Sequence, residues 1–355
     1  MSEHKFPYRW KIADGYPAAG IEPHGSKVFG TFICGGGSTM GYKLAGFDHI
    51  GGVEIDPKVA AIYRQNHHPR HLYIEDLRKF NERTDLPDEL YELDVLDGSP
   101  PCSTFSMAGS REKARGKKKV FREGQAKQTL DDLVFVYCDT IAKLKPRVCL
   151  LENVSGLVKG NARSYCRRIV QRLTDAGYRV QVFLLNAAIM GVPQHRQRTY
   201  FLGLRKEFAD LPKLVIDVNE PLIPFGECID DSDQTRNMSD REYRVWQKRK
   251  PADNRFADIM LREEGKNIYF NSKIEKRDRV CSTMCAADAN FTYDYPRRLN
   301  KTERILCSSF PADYKADAKE VPFLTGMSVA PVKMAHIADA IYNQWLKPIN
   351  ERIKS

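Results

Sequence analysis

The chemistry of this chain concentrates in a few short clusters. Pro100-Pro101-Cys102-Ser103 follows an apolar strand-like run, and its two prolines stiffen the loop and fix the direction of the thiol. A lone cysteine is more often a small buried hydrophobe than a nucleophile. The polar, Gly- and Pro-rich surroundings of Cys102 argue against burial, so both readings stay open. Glu152-Asn153-Val154 ends another such run, and a carboxyl there can share a cleft with Cys102 and donate to a ring nitrogen when partly protonated. Gln194-His195-Arg196-Gln197-Arg198 leads into a further strand. Arginines two apart along a strand point to one side, and two guanidinium forks in a cleft suit a carbonyl or phosphate oxygen. For each alone, a surface ion pair is the commoner outcome.

A second group of signals suits a cofactor. Phe32 to Gly37 is a glycine-rich turn after a strand and before a helix, where backbone N–H groups can meet a ligand. Glu54 ends the next strand, where an acid can bind two ribose hydroxyls or simply cap a helix. Asp76 ends a third and could accept from an adenine amino group or face solvent. Together the three point to an adenosine-containing cofactor.

These clusters need a frame that presents strand ends to one ligand edge. Strand signals at Val28–Ile33, His49–Ile55, around Ile74, Leu93–Leu96, Val148–Leu151, Tyr178–Leu185 and Thr199–Leu204 are interleaved with helical patterns. The helices are predicted over Ser38–Ala45, from Asp56 with Pro57 at its first position, over Leu130–Leu144 and over Tyr165–Ala176. Strands alternating with helices predict an α/β fold with a parallel sheet, and ligands bind at the carboxyl ends of such strands. From Leu204 to about Pro296 the alternation stops and charge clusters, as in Arg241 to Lys250. A helix is expected over Lys301–Ser309, and a final one over Lys333–Leu346 that packs back on the sheet.

Composition narrows the class. The chain has 355 residues, 42% hydrophobic and 29% charged, which excludes a disordered or collagen-like chain. No apolar run approaches the roughly 20 residues of a spanning helix, and the N-terminal stretch lacks the apolar core of a secretory signal. A net charge of +10 favours a polyanionic partner such as nucleic acid. Nine irregularly spaced cysteines read as reduced intracellular thiols, and Cys281 and Cys285 have no second pair for zinc.

Taken in order, Phe32…Gly36-Gly37, Glu54, Asp76, Pro101-Cys102, Glu152-Asn153-Val154 and Gln194-x-Arg196-x-Arg198 resemble the DNA (cytosine-5)-methyltransferase family of bacterial and phage type. Arg298…Thr302-Glu303-Arg304, Phe310-Pro311 and Gly326-x-Ser328-Val329 extend the resemblance, which covers roughly residues 28–204 and 297–345. It implies a Rossmann-like, mostly parallel α/β domain using S-adenosyl-L-methionine, plus a smaller target-recognition domain. The implied boundaries are 1–203 and 297–355 for the catalytic domain and 204–296 for target recognition. The resemblance makes Cys102 the nucleophile on carbon 6 of a flipped-out cytosine. Glu152 would hold the ring N3, Arg198 the O2, and Arg196 would help position the base and the catalytic loop. It places cofactor contacts at Phe32, Cys34, Gly36, Gly37, Glu54, Ile55, Asp76, Leu77, Pro101, Met327, Ser328 and Val329.

For DNA, the expected contacts are Ser106, the basic run Arg111, Lys113, Arg115, Lys117, Lys118, Lys119 and Arg122, and Arg244, Lys248 and Arg249 in the variable segment. The implied partner is duplex DNA, bound by a cytoplasmic, nucleoid-associated monomer with no membrane contact and a cognate restriction endonuclease as companion. Three positions depart from the family pattern: Gly30 stands for the acid that opens the first motif, Cys34 for its first glycine, and Met327 for an asparagine. The last two raise the alternative of a modified donor such as carboxy-S-adenosylmethionine. An RNA cytosine methyltransferase is a further alternative, although the variable segment has no Cys-Phe-Thr signature. A nicotinamide dehydrogenase explains the glycine turn but none of the later clusters, and a non-catalytic DNA-binding protein leaves Cys102, Glu152, Arg196 and Arg198 without a role.

Overall fold

The computed structural model describes residues 4–101, 133–158 and 163–354. Its contacts divide the chain into two compact units. The larger holds 16–186, 197–217 and 334–355, and the smaller holds 1–15, 187–196 and 218–333.

In the larger unit the chain runs β1 (Lys27–Thr31), α1 (Gly37–Leu44), β2 (Asp48–Val53), α2 (Pro57–His67), β3 (His71–Tyr73), α3 (Leu77–Glu82), β4 (Val95–Gly98), α4 (Leu133–Leu144), β5 (Val148–Val154), α5 (Arg163–Asp175), β6 (Tyr178–Asn186) and β7 (Gln197–Arg205). The seven strands form one sheet in the order β3-β2-β1-β4-β5-β7-β6. The strands β1 to β5 pair in parallel, as the alternation of strand and helix requires. The strand β7 runs antiparallel to both neighbours. Only the short segment 187–196, with one helical turn at Ala187–Met190, joins β6 to β7, too little for a parallel crossover.

Local chemistry sets the helix starts. Asp56 caps α2 by accepting from the N–H groups of Lys58 and Val59, with Pro57 first in the helix. Asp76 caps α3 through the Arg78 N–H. One face of the sheet buries Phe29, Leu96, Leu151 and Phe201 with Ile141 of α4 and Ile169 of α5. Here the Tyr137 hydroxyl lies 2.7 Å from the Leu96 carbonyl and 2.6 Å from that of Leu150, pinning α4 to the strands that end at the ligand edge. The expected last helix is broken: α10 (Pro331–Ile341) passes through a wider turn at Tyr342–Leu346 into α11 (Lys347–Lys354). Buried Trp345 donates to the Pro212 carbonyl at 3.0 Å and ties this end to the larger unit.

The smaller unit holds α6 (Asp240–Gln247), α7 (Phe256–Glu264), the short parallel pair β8 (Lys273–Glu275) and β9 (Asn290–Thr292), then α8 (Lys301–Cys307) and α9 (Val321–Met327). Trp246, Phe256, Ile259, Ile274 and Phe291 form a core of their own. This grouping differs from the expected division at 204 and 297, because 297–333 packs with the smaller unit. Arg297, fully buried, explains the tie: it pairs with Glu303 at 2.7 Å and donates to the carbonyls of Asp230 and Asp233.

Candidate active site

The carboxyl ends of the parallel strands all open on one edge of the larger unit. Where β1 ends, the backbone is left-handed at Phe32 (φ 56°), Cys34 (φ 46°) and Gly36 (φ 77°). Within the turn the Cys34 N–H is given to Glu54 and the Gly36 N–H to the Ile33 carbonyl at 2.9 Å, so its shape is held by its own bonds. Gly36 must be glycine, since a Cβ there would overlap the His67 imidazole. His67 lies with Nε2 3.2 Å from the Gly35 carbonyl. Burial, aided by the Lys43 charge, holds this imidazole neutral, its pKa pushed down to about 3, so Nε2–H donates to that carbonyl. Cys34 takes the conformation that glycine favours, at a cost of about 1–2 kcal/mol.

Glu54 follows β2 and is locked to this turn. One carboxylate oxygen accepts from the Cys34 N–H at 2.9 Å and the other from the Asp56 N–H at 3.0 Å. The Ile55 N–H bonds the same carboxylate, which leaves one of its roughly four lone-pair sites for a ligand hydroxyl. Burial raises its proton affinity and the backbone N–H groups oppose the shift. Ile55 beside it is half-buried. Asp76 follows β3, caps α3 and pairs with Arg78 at 3.1 Å, while Leu77 is buried behind it. A left-handed turn flanked by acids at the next two strand ends fits an adenosine group with its ribose on Glu54.

The strand β4 ends at Gly98, and Ser99-Pro100-Pro101 leads on toward Cys102. Cys102, Ser106 and the basic run Arg111–Arg122 lie outside the described residues. What the structure does place is the frame beside them. The Asn153 side chain donates Nδ2–H to the Pro100 carbonyl at 3.2 Å, fastening the proline pair to the end of β5. Glu152 is buried, with 8% exposure, and its Oε1 lies 3.1 Å from Arg198 Nε. The register explains the contact: Glu152 pairs with Tyr200 and Val154 with Arg198, so Arg198 reaches diagonally along β7.

The two arginines, expected to share one cleft, have different partners. The strand β7 begins at Gln197, so Arg196 precedes it and escapes its alternation. The Arg196 guanidinium is buried in the smaller unit, donating to the carbonyls of Met284 at 3.2 Å and Gly326 at 2.9 Å. It thereby clamps the approach to Met327, which is 38% exposed, and to buried Ser328 and Val329.

Of the expected DNA contacts in the smaller unit, Arg244 and Lys248 border a groove of about 460 Å³ between α6 and α7, with Glu263 and Glu264 opposite. Arg249 is committed to packing. Its guanidinium stacks 3.3 Å from the Trp246 ring centre and donates Nε–H to the Tyr293 carbonyl at 2.7 Å. Among the described residues no cluster of His, Cys, Asp and Glu could hold a metal, and no helix is long and apolar enough to cross a membrane. Sequence reasoning missed His67 and Asp97. For Asp97 a signal existed, an acid inside the apolar run Val95-Leu96-Asp97; for His67 there was none.

Known proteins agree with this frame. A family model described as C-5 cytosine-specific DNA methylase matches residues 27–343. The chain is 29% identical over 211 residues to the type II methyltransferase M.NgoPII of Neisseria gonorrhoeae, covering 59% of this chain and 54% of that protein. It is 34% identical over 182 residues to M.Sau96I of Staphylococcus aureus, covering 51% of this chain and 39% of that protein. These matches span about half the length of the curated relatives or less. Among solved structures, Spodoptera frugiperda DNMT2 aligns with a TM-score of 0.61 at 15% identity, covering 89% of this chain and 99% of that one. Dnmt2 methyltransferase of S. pombe aligns at 0.57 and 15%, covering 92% and 99%. At such identities these two likenesses speak for the fold.

Proposed function

The chain belongs to the C-5 cytosine-specific DNA methylase family, and from that premise we propose that it methylates carbon 5 of cytosine in duplex DNA at a specific sequence. The observation that carries this reading is the buried Glu152–Arg198 pair beside the proline loop that leads to Cys102. A carboxyl and a guanidinium fixed on neighbouring strands match the N3 and O2 of one pyrimidine ring.

In this reading the Cys102 thiolate adds to carbon 6, and the electron pair of the broken C5–C6 double bond becomes available at carbon 5. Glu152 holds the proton at N3, and Arg198 donates to O2, so charge developing on the ring meets donors already in place. S-adenosylmethionine, when bound, would supply an electrophilic methyl group to carbon 5 and leave as the neutral thioether. The carbon-5 proton then passes to solvent water, the C5–C6 double bond re-forms and the Cys102 thiolate leaves. Phe32, Cys34, Gly36, Gly37, Glu54, Asp76 and the Met327–Val329 segment would hold the cofactor. Arg196 acts by holding the Gly326 carbonyl rather than by touching the base.

Within the smaller unit, the segment 218–296 serves target recognition, with Arg244 and Lys248 toward DNA. The basic run from Arg111 to Arg122 supplies phosphate contacts without sequence information. The protein works as a cytoplasmic monomer, and a restriction endonuclease of the same specificity is the expected companion. Sequencing modified bases in DNA from cells expressing the chain, with nucleoside mass analysis, tests the proposal. 5-Methylcytosine at one sequence context is expected. Unmodified cytosine, or a C5 adduct heavier than methyl, contradicts it.

A further inference from the structure

Three residues around the first turn form one compensating set. Gly30 stands where the family pattern has an acid, and Gly30 pairs directly with Asp97 of β4. Residues paired across parallel strands project from the same face of the sheet. The Asp97 carboxyl therefore stands one strand over from the place that lacks an acid. It is buried, with 4% exposure, and accepts from the Ser38 hydroxyl in the first turn of α1. Its Oδ1 has no hydrogen-bond partner among the described residues. A buried acid in a strand interior costs stability, so its presence calls for a reason.

The space at position 30 has been filled from the other side. A Cβ on Gly30 would lie 2.7 Å from Ile33 Cγ2, so the Ile33 side chain occupies the room an acid at 30 would need. Gly52 on β2 opens the same slot, since its Cβ would also overlap Ile33 Cγ2. Gly30, Ile33 and Asp97 thus form one set: β1 carries no acid at position 30, the Ile33 side chain fills that volume, and a carboxyl stands at the paired position on β4.

We propose that Asp97 is a positioning residue for the donor-binding turn, holding the start of α1 from β4 in place of the acid absent at position 30. The proposal rests on the functional reading above. By anchoring Ser38, Asp97 fixes the first turn of α1, which continues directly from the turn of residues 32–36.

Calorimetric titration of the full chain with S-adenosylmethionine tests it, alongside kcat and KM for the donor with unmethylated DNA. D97V removes the anchor and leaves the Ser38 hydroxyl unpaired. It is expected to weaken donor binding about tenfold or more, the scale of one buried hydrogen bond, while kcat at saturating donor stays within about threefold. D97N keeps an acceptor for Ser38 and is expected to bind within about threefold of wild type. The relocated variant G30D/I33A/D97V returns the acid to β1 and removes the group in its way; its donor binding should recover to within about threefold. Wild-type affinity in folded D97V overturns the proposal, as does a folded relocated variant that binds no better than D97V. Should D97V fail to fold, D97N and the relocated variant decide: tenfold weaker binding in both overturns it. A wild-type chain that binds no S-adenosylmethionine refutes the functional reading instead.

Discussion

Removing Arg198 should damage stability and rate together, and the two losses should be separable. Arg198→Ala leaves the Glu152 carboxylate with 8% exposure and without the cation 3.1 Å from its Oε1. Breaking a buried ion pair from one side costs about 3–5 kcal/mol, because the remaining charge stays desolvated. At roughly 2–4 °C per kcal/mol for a domain this size, the melting point should fall by about 6–20 °C at neutral pH. Pairing it with E152Q removes the stranded charge, so R198A/E152Q should regain most of that stability. Methyl transfer should not return, since a donor aimed at a developing oxyanion is worth about 100- to 1,000-fold in rate. Differential scanning calorimetry of both variants, with single-turnover transfer from labelled S-adenosylmethionine, reads both quantities. If R198A melts like wild type, or if E152Q leaves it equally unstable, the pair is not what holds these strand ends.

Three further expectations follow from the same frame. Burial pushes the Asp97 carboxyl from 3.8 up to about 7; the Ser38 hydroxyl opposes the shift and the Glu152 charge adds to it, with Tyr42 and Tyr63 also near. Between pH 4 and 7 the folded chain therefore holds a proton that the unfolded chain releases, so stability falls as pH rises through this window. D97N should match wild type near pH 4 and gain up to about 4 kcal/mol above pH 7, read by urea melts at both pH values. Cys34→Gly should relieve the left-handed strain and stabilise the chain by up to about 1 kcal/mol in the same melts, without loss of donor binding. His67→Phe removes the donor to the Gly35 carbonyl and should weaken S-adenosylmethionine binding about tenfold by calorimetry, with DNA affinity unchanged.

What could be read in advance was mostly local. Asp56-Pro57 announces the start of α2, and the glycine run after Phe32 announces a turn before α1, because capping and turn chemistry are written in adjacent residues. Glu152 and Arg198 were legible as strand-end residues, though not as partners, since their meeting depends on the antiparallel register of β5 and β7. The direction of β7 hangs on the length of one connection, which apolar periodicity does not report. Arg196 misled for a similar reason: the carbonyls it binds belong to Met284 and Gly326, 88 and 130 residues away. Residues 297–333 look like a continuation of the catalytic motifs, yet the buried Arg297–Glu303 pair ties them to 218–296. Asp97 has meaning only once its pairing with Gly30 is known.

A transient bond between Cys102 and a cytosine ring is the step on which the proposed activity stands. Duplex DNA carrying 5-fluorocytosine cannot release the thiolate, because the fluorine replaces the proton that must leave. Incubating it with the full chain and S-adenosylmethionine, then digesting with protease and mapping by mass spectrometry, should yield a peptide containing Cys102 joined to a methylated fluoropyrimidine, absent in C102A. Methyl transfer to ordinary DNA by C102A at the wild-type rate, or trapping at a different residue, contradicts it.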